Sequence, residues 1–184
     1  FSLVQMNKTF SDIGIVIRVT DFGEADRFVD LVTKNHGLVN LVAKGARRIT
    51  SRKASHLDLL NLVKFQVARG RSPQILTQAE LIEPHLDLKN NLKMARTSFY
   101  LAEILNSLLA AEQPDPELFA SLKNYLFHLN KTPSKENSRQ LSVDFQLYLL
   151  HHLGFPEPKI HTPEAIMNHL ENITSKKIKS RHLL

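Results

Sequence analysis

Ile13-Gly14-Ile15-Val16-Ile17-Arg18-Val19-Thr20 is the stretch that decides the fold class. Ile13, Ile15, Ile17 and Val19 alternate with Gly14, Val16, Arg18 and Thr20, the period of a half-buried strand. Working outward, Val29 and Leu31 continue the pattern in a second strand. Lys34-Asn35-His36-Gly37 supplies a turn, in which Gly37 is free to take positive φ. A third strand follows at Leu38 to Ala43. A fourth carries Val63, Phe65 and Val67, facing inward, in alternation with Leu62, Lys64 and Gln66. After the turn Arg69-Gly70-Arg71-Ser72-Pro73, Gln74 to Glu80 makes a fifth. Five short strands, with a longer excursion between the third and the fourth, match the element count of an OB-type β-barrel.

From about Glu83 the period becomes helical. Leu88, Leu92, Ala95, Phe99, Ala102, Leu105 and Leu109 line up as one apolar stripe. Asp115-Pro116-Glu117 is a helix start, with the acid as cap and proline in the first turn. Leu118, Leu122, Tyr125, Leu126 and Leu129 then recur at helical spacing. Lys131 to Asn137 reads as a polar linker. A third helix runs from about Arg139 to Leu153 and stops at Gly154, with Pro156 preventing continuation. Thr162-Pro163-Glu164 opens a fourth, carrying Ile166, Met167, Leu170 and Ile173. The fold class expected is α+β in two domains: a barrel over residues 1–81 and an all-helical domain over 82–184.

The 184 residues carry 42% hydrophobic and 23% charged side chains, an ordinary globular balance. No apolar run is long enough for a transmembrane helix. Phe1 to Phe10 lack the basic start and apolar stretch of a secretory signal, and Phe1 is no native initiator. There is no cysteine, which removes disulfides, thiol catalysis and Cys-ligated zinc. A reducing, cytoplasmic location fits.

Charge is the informative feature. The formal net charge is +6, and it is uneven. Between Lys34 and Arg71 nine Lys or Arg face the single acid Asp58, whereas Ile82 to Ile173 holds eight bases and eleven acids. Lys176, Lys177, Lys179 and Arg181 add a basic tail. A basic face of this kind favours an anionic partner. Lys44, Arg47, Arg48, Arg52 and Lys53 follow directly on the third strand, and Arg69 and Arg71 lie in the turn before the fifth. In a barrel such loops approach one face and form a positive groove for a phosphate backbone. If about five of these cations meet phosphates, the salt slope on single strands is about −3.5. Aromatic platforms are few: Phe1, Phe10, Phe22, Phe28 and Phe65 are the only aromatics through Leu81. Binding mainly by charge, with little discrimination between single strands and duplex, is expected.

Enzyme signatures are missing: there is no G-x-x-x-x-G-K loop, no HExxH and no nucleophile elbow. No catalytic residue, cofactor or metal is expected. Asp21, Glu24 and Asp26 crowd one turn, and a solvated turn is a better reading than a divalent-ion site. Adjacent histidines on a helix point about a hundred degrees apart, so His151 and His152 do not share an ion. With His161 and His169 they read as exposed or capping side chains.

Asp12-Ile13-Gly14-Ile15-Val16-Ile17-Arg18, Phe22-Gly23-Glu24-Ala25-Asp26-Arg27, His36-Gly37-Leu38 and Ala43-Lys44-Gly45-Ala46-Arg47-Arg48, taken together, resemble the RecO family of bacterial recombination mediators. Leu76-Thr77-Gln78-Ala79-Glu80-Leu81 looks like the last barrel strand of that family. Pro114-Asp115-Pro116-Glu117-Leu118-Phe119, Leu153-Gly154-Phe155-Pro156 and Lys179-Ser180-Arg181 look like its helical domain and C-terminal signature. The resemblance implies a DNA repair and recombination mediator that binds single- and double-stranded DNA and anneals complementary strands. With RecR it would promote RecA loading on DNA coated by single-strand-binding protein (SSB), near the nucleoid.

Lys44, Arg47 and Arg48 match the family's basic motif and carry over as DNA contacts. Arg27 matches too, with a turn ion pair to Asp26 or Glu24 as an equal reading. Arg52, Lys53, Arg69 and Arg71 are added from charge position. In the family the helical domain also receives the C-terminal peptide of SSB, for which Lys89, Lys93, Arg96, Lys176, Lys177, Lys179 and Arg181 are candidate rim residues. Many members carry a four-cysteine zinc module after the segment corresponding to Leu153–Pro156. Here only a short bridge from Glu157 leads to the last helix, so a reduced helical domain without zinc is expected. The alternatives are an adaptor recruiting SSB or RecR through the helices, and a small nuclease using Asp21, Glu24 and Asp26.

Overall fold

The computed structural model describes residues 9–48, 51, 53–68, 73–85, 88, 90–131 and 135–180. Five strands come first: β1 (Thr9–Phe22), β2 (Asp26–Thr33), β3 (Gly37–Ala43), β4 (Leu62–Ala68) and β5 (Gln74–Glu83). A short helix α1 (Lys53–His56) lies between β3 and β4. Four longer helices follow: α2 (Leu92–Leu108), α3 (Pro116–Lys131), α4 (Lys135–His152) and α5 (Pro163–Thr174). The chain divides into two compact units, Phe1–Pro84 with Ala110–Asp115, and His85–Leu109 with Pro116–Leu184.

The strands close into a barrel in the order β1-β2-β3-β5-β4, the arrangement expected of an OB-type fold. All neighbours are antiparallel except β3 and β5, which meet in parallel through Leu41↔Gln74 and Val42↔Ile75. The fourteen-residue β1 serves both sides of the barrel. Its first half pairs with β4 and its second half with β2.

The register on β2 shifts between Val16 and Arg18, a bulge that bends the strand and reverses its phase. Gly14 and Val16 therefore point into the barrel before it, and Val19 after it. Ile15 and Ile17 lie on the opposite face, and both are buried there too. The simple alternation of isoleucines thus did not describe one inner face. A Cβ at Gly14 would stand 3.1 Å from the Phe65 ring and 3.2 Å from Leu31, so glycine lets the curled strand pass close to the core.

Val29, Leu31, Val39, Leu41, Val63, Phe65, Val67 and Leu76 fill the interior, and Leu57, just after α1, is buried in the same cluster. Burying each such side chain stabilises the barrel by about 1.5–3 kcal/mol. α1 was not expected from sequence. It is held by Asn61, whose Nδ2 donates to the His56 carbonyl at 2.9 Å, while His56 Nδ1 lies 2.9 Å from the Ala79 carbonyl. The β2–β3 turn is anchored by the buried Asp12. Its carboxylate accepts from Asn35 N (2.9 Å), Asn35 Nδ2 (2.8 Å) and Ile13 N (2.8 Å), with His36 Nδ1 at 2.7 Å. Burial pushes the Asp12 pKa up, but this set of donors outweighs burial and leaves it below the ordinary value.

Where β5 stops pairing, β3 is continued by a segment far away in sequence. Leu38 forms a parallel bridge with Ala111, and Glu112 N donates to the Leu38 carbonyl at 2.9 Å. Gly37, at φ +69°, lies so close that a Cβ would reach 2.1 Å from the Gln113 carbonyl oxygen.

In the helical unit α3 buries Leu118, Phe119, Leu122, Tyr125, Leu126 and Leu129, as its spacing requires. α4 begins at Lys135, so its first turn lies inside the stretch read as a linker. Polar residues are at home in an exposed first turn, and Glu136 there complements the helix dipole. α2 turns Leu101, Ala102, Ile104 and Leu105 inward but leaves Leu92 70% and Phe99 54% exposed. Two members of the expected apolar stripe therefore face solvent. The last turn of the described chain is tied to α2 by Glu103. Its carboxylate accepts from Lys179 N (2.6 Å), Ser180 N (2.8 Å) and Ser180 Oγ (2.6 Å). Partial burial raises the Glu103 pKa, but the Ser180 and Lys179 donors bring it below the ordinary value.

Candidate nucleic-acid interface

The first turn of the barrel and the loop after β3 are built against each other. Gly45 N donates to Asp26 Oδ1 at 2.8 Å, and Arg47 N donates to the Ala25 carbonyl at 2.9 Å. The Arg47 guanidinium reaches the same turn, donating from Nη1 to the Gly23 carbonyl at 2.8 Å. Its Nε stands 3.4 Å from Asp21 Oδ2. The other oxygen of that carboxylate accepts from Arg27 Nε at 3.1 Å. One half-exposed aspartate is thus shared by two arginines that lie twenty positions apart in sequence. Arg27 pairs with Asp21, not with the Asp26 or Glu24 that its sequence neighbourhood suggested.

Lys44 and Arg48 are exposed and make no ion pair with any described residue. Four of the sequence-predicted cations, Arg27, Lys44, Arg47 and Arg48, therefore meet at one end of the barrel. Arg52, Arg69 and Arg71 lie outside the described residues. Lys53 opens α1, but its side chain is not among those described.

A further cation was missed. Arg18 is 52% exposed on β1, where its Nη1 lies 3.5 Å from the buried Asp30. Asn40 Nδ2 donates to the other Asp30 oxygen at 2.8 Å. The pairs Arg18↔Asp30, Thr20↔Phe28 and Phe22↔Asp26 place Arg18, Phe28 and Phe22 on one face of the β1–β2 ribbon. The rings of Phe22 and Phe28 stand 4.4 Å apart at 50°, and Phe22 is half exposed. No composition count finds this pair; it needs the register.

The electrostatics of this end are more balanced than a charge count beginning at Lys34 suggests. Asp21, Glu24, Asp26 and Asp30 all lie in the β1–β2 hairpin, outside that count, and face five cations. Exposed pairs such as Arg27–Asp21 contribute about 0.2–1 kcal/mol each, so a phosphate competes with them at modest cost. The same pairings leave the nuclease reading poorly supplied. Asp21 holds two arginines and Asp26 accepts from a backbone amide, and no group of three His, Asp or Glu suited to a metal occurs among the described residues.

In the helical unit Arg96, Lys176, Lys177 and Lys179 are exposed. Lys89 and Arg181 lie outside the described residues, and the Lys93 side chain is likewise not described. Arg96 stands between the exposed Leu92 and Phe99 on the same side of α2, at helical spacings of four and three. The histidines are partnered. His151 and His161 flank Glu157 at 3.9 and 3.6 Å, His152 lies against Tyr148, and His169 Nε2 is 2.6 Å from the Pro156 carbonyl. No helix among the described residues is long and apolar enough to cross a membrane.

Comparison with known proteins places both units. A family model described as Recombination protein O N terminal matches residues 6–85, and one described as Recombination protein O C terminal matches residues 92–156. Among similar curated proteins is a DNA repair protein RecO of Gloeothece citriformis, 37% identical over 121 residues, which are 66% of this chain and 43% of that protein. The namesake of Symbiobacterium thermophilum is 37% identical over 142 residues, 77% of this chain and 55% of the relative. That of Trichodesmium erythraeum is 30% identical over 172 residues, 90% and 59% respectively. The chain spans about half the length of the curated relatives it matches.

Proposed function

This chain belongs to the RecO family, and on that premise we propose that its barrel takes up single- and double-stranded DNA and promotes the annealing of complementary strands. The observation that carries this is the convergence of Arg27, Lys44, Arg47 and Arg48 at one end of an OB-type barrel, the surface such folds offer to oligonucleotides. Residues 1–81 act as the nucleic-acid-binding domain and 82–184 as the helical domain. Annealing needs no covalent step. Cations screen the repulsion between strands while weak readout of the bases leaves their pairing edges free.

In the cell this activity serves DNA repair and recombination. With RecR the protein assists RecA onto SSB-coated single strands. The exposed Leu92, Arg96 and Phe99 on α2 suit an acidic, apolar-ended tail such as that of SSB, with Lys89, Lys93 and the cations of the C-terminal segment as further rim residues. That surface also supports the second reading, an adaptor that recruits SSB or RecR through its helices while the barrel adds little.

Labelled complementary oligonucleotides separate these readings. Duplex formation without strand shortening supports the mediator, no effect supports the adaptor, and Mg²⁺-dependent shortening supports a nuclease. Changing Arg47 and Arg48 together to Ala should weaken binding across sequences and flatten the salt slope by about one to two units. An unchanged slope would remove both residues from the interface.

A further inference from the structure

We infer that Phe22, backed by Phe28, is a base-stacking platform, so that the barrel prefers unpaired strands to duplex. This rests on the DNA-binding reading above and assigns it a mode of contact that charge alone does not supply. Exposure of one phenylalanine is no argument in itself, since scattered apolar side chains are common on surfaces. Three features set this one apart.

The ring closes β1 where it enters the β1–β2 turn, one of the loops that OB-type barrels offer to oligonucleotides, and Asp26 is its cross-strand partner. It is held by a second ring at 4.4 Å, which restricts the orientation of Phe22 and leaves half of its surface open. It is also bracketed by cations. Arg18 stands on the same ribbon face, and the Arg47 guanidinium donates to Gly23, the residue next to Phe22. Lys44 and Arg48 follow in the loop that packs on that turn. A flat apolar ring between positive groups suits an unpaired nucleotide, with the base on the ring and its flanking phosphates on the cations.

The charge balance points the same way. With four hairpin acids facing five cations, phosphate attraction at this end is moderate, and stacking adds an attraction that those acids do not diminish. A duplex buries its base faces and gains nothing from the platform.

The test uses the whole chain and three probes at low salt: an oligothymidylate, an abasic oligomer of the same length, and a duplex. Stacking measured by alanine substitution corresponds to about a fivefold or greater loss per base. Phe22→Ala should therefore bind the oligothymidylate about five- to tenfold more weakly. Its binding to the abasic oligomer and the duplex should be unchanged. Since the chain has no Trp, Phe22→Trp gives a single reporter, whose fluorescence should be quenched by the oligothymidylate and not by the abasic strand.

If Phe22→Ala binds the oligothymidylate as tightly as the parent does, or loses affinity equally for all three probes, the platform is refuted while DNA binding stands. If the parent ignores all three, the DNA reading fails and the platform with it.

Discussion

Replacing Asp21 by Asn should tighten DNA binding, the reverse of what most interface substitutions do. The carboxylate holds Arg27 Nε at 3.1 Å and Arg47 Nε at 3.4 Å. Asn keeps the shape and one acceptor but gives up the charge, so both guanidiniums are released from an ion pair. Each one that then meets a phosphate steepens the single-strand salt slope by about 0.7, or about 1.4 for the two. If parent and variant titrations extrapolate to a common affinity near 1 M salt, that difference amounts to roughly 25-fold tighter binding near 0.1 M. The stability cost is small. Asp21 is half exposed and each pair contributes about 0.2–1 kcal/mol, so the loss stays within about 2 kcal/mol. The loop remains tied through the Arg47 contacts to Gly23 and Ala25. Fluorescence anisotropy of a labelled single strand, titrated between roughly 50 and 200 mM salt, reads affinity and slope together. Binding no tighter than the parent's, with an unaltered melting curve, would refute the placing of Arg27 and Arg47 on the phosphate track.

Other perturbations test the scaffold that holds this surface. Gly37→Ala should cost about 2–4 kcal/mol in urea unfolding, because its Cβ meets the Gln113 carbonyl at a backbone φ of +69°; a neutral result would discount the Ala110–Asp115 segment as part of the barrel seam. Asp12→Asn should destabilise by about 1–3 kcal/mol at neutral pH, by weakening the anchor of the β2–β3 turn. The folded pKa of Asp12 lies below its unfolded value near about 3.9, so its stabilisation is complete above that pH and fades as pH falls through the folded value. The gap between parent and Asn variant should accordingly narrow in acid, and a gap constant with pH would contradict the hydrogen-bonded carboxylate. Glu103→Gln should speed hydrogen exchange at the Lys179 and Ser180 amides by roughly tenfold, with the amides of α2 unaffected; unaltered exchange would mean that the carboxylate does not hold this turn.

Much of the fold is legible in the chain because it rests on local signals. Period-two alternation locates β1, β2 and β4, the turns beside them place β3 and β5, and Gly37, Pro116, Thr162 and Gly154 mark turns and helix ends through their own backbone preferences. What the sequence hides is set by distant contacts. The phase of β1 depends on a bulge next to Val16, which reverses the faces that alternation assigns. The covering of β3 by Leu38↔Ala111 joins residues more than seventy positions apart, and no periodicity announces it. α2 looks apolar along one stripe, yet Leu92 and Phe99 fall outside the arc that packs.

The candidate interface divides along the same line. Lys44, Arg47 and Arg48 stand out as a charge cluster and as a family motif. Asp21 and Phe22 take on meaning only once the β1–β2 turn is folded against the loop after β3. Charge counted along the chain left out the hairpin acids because they precede the basic stretch in sequence, although they adjoin it in space.

Mapping backbone amide shifts of the isotope-labelled chain during titration with a single-stranded oligonucleotide at low salt asks directly whether DNA lies on this end of the barrel. Shifts should concentrate at residues 18–28 and 43–48 and shrink as salt is raised. Shifts confined to the helical unit, or none at all, would contradict a barrel-bound strand.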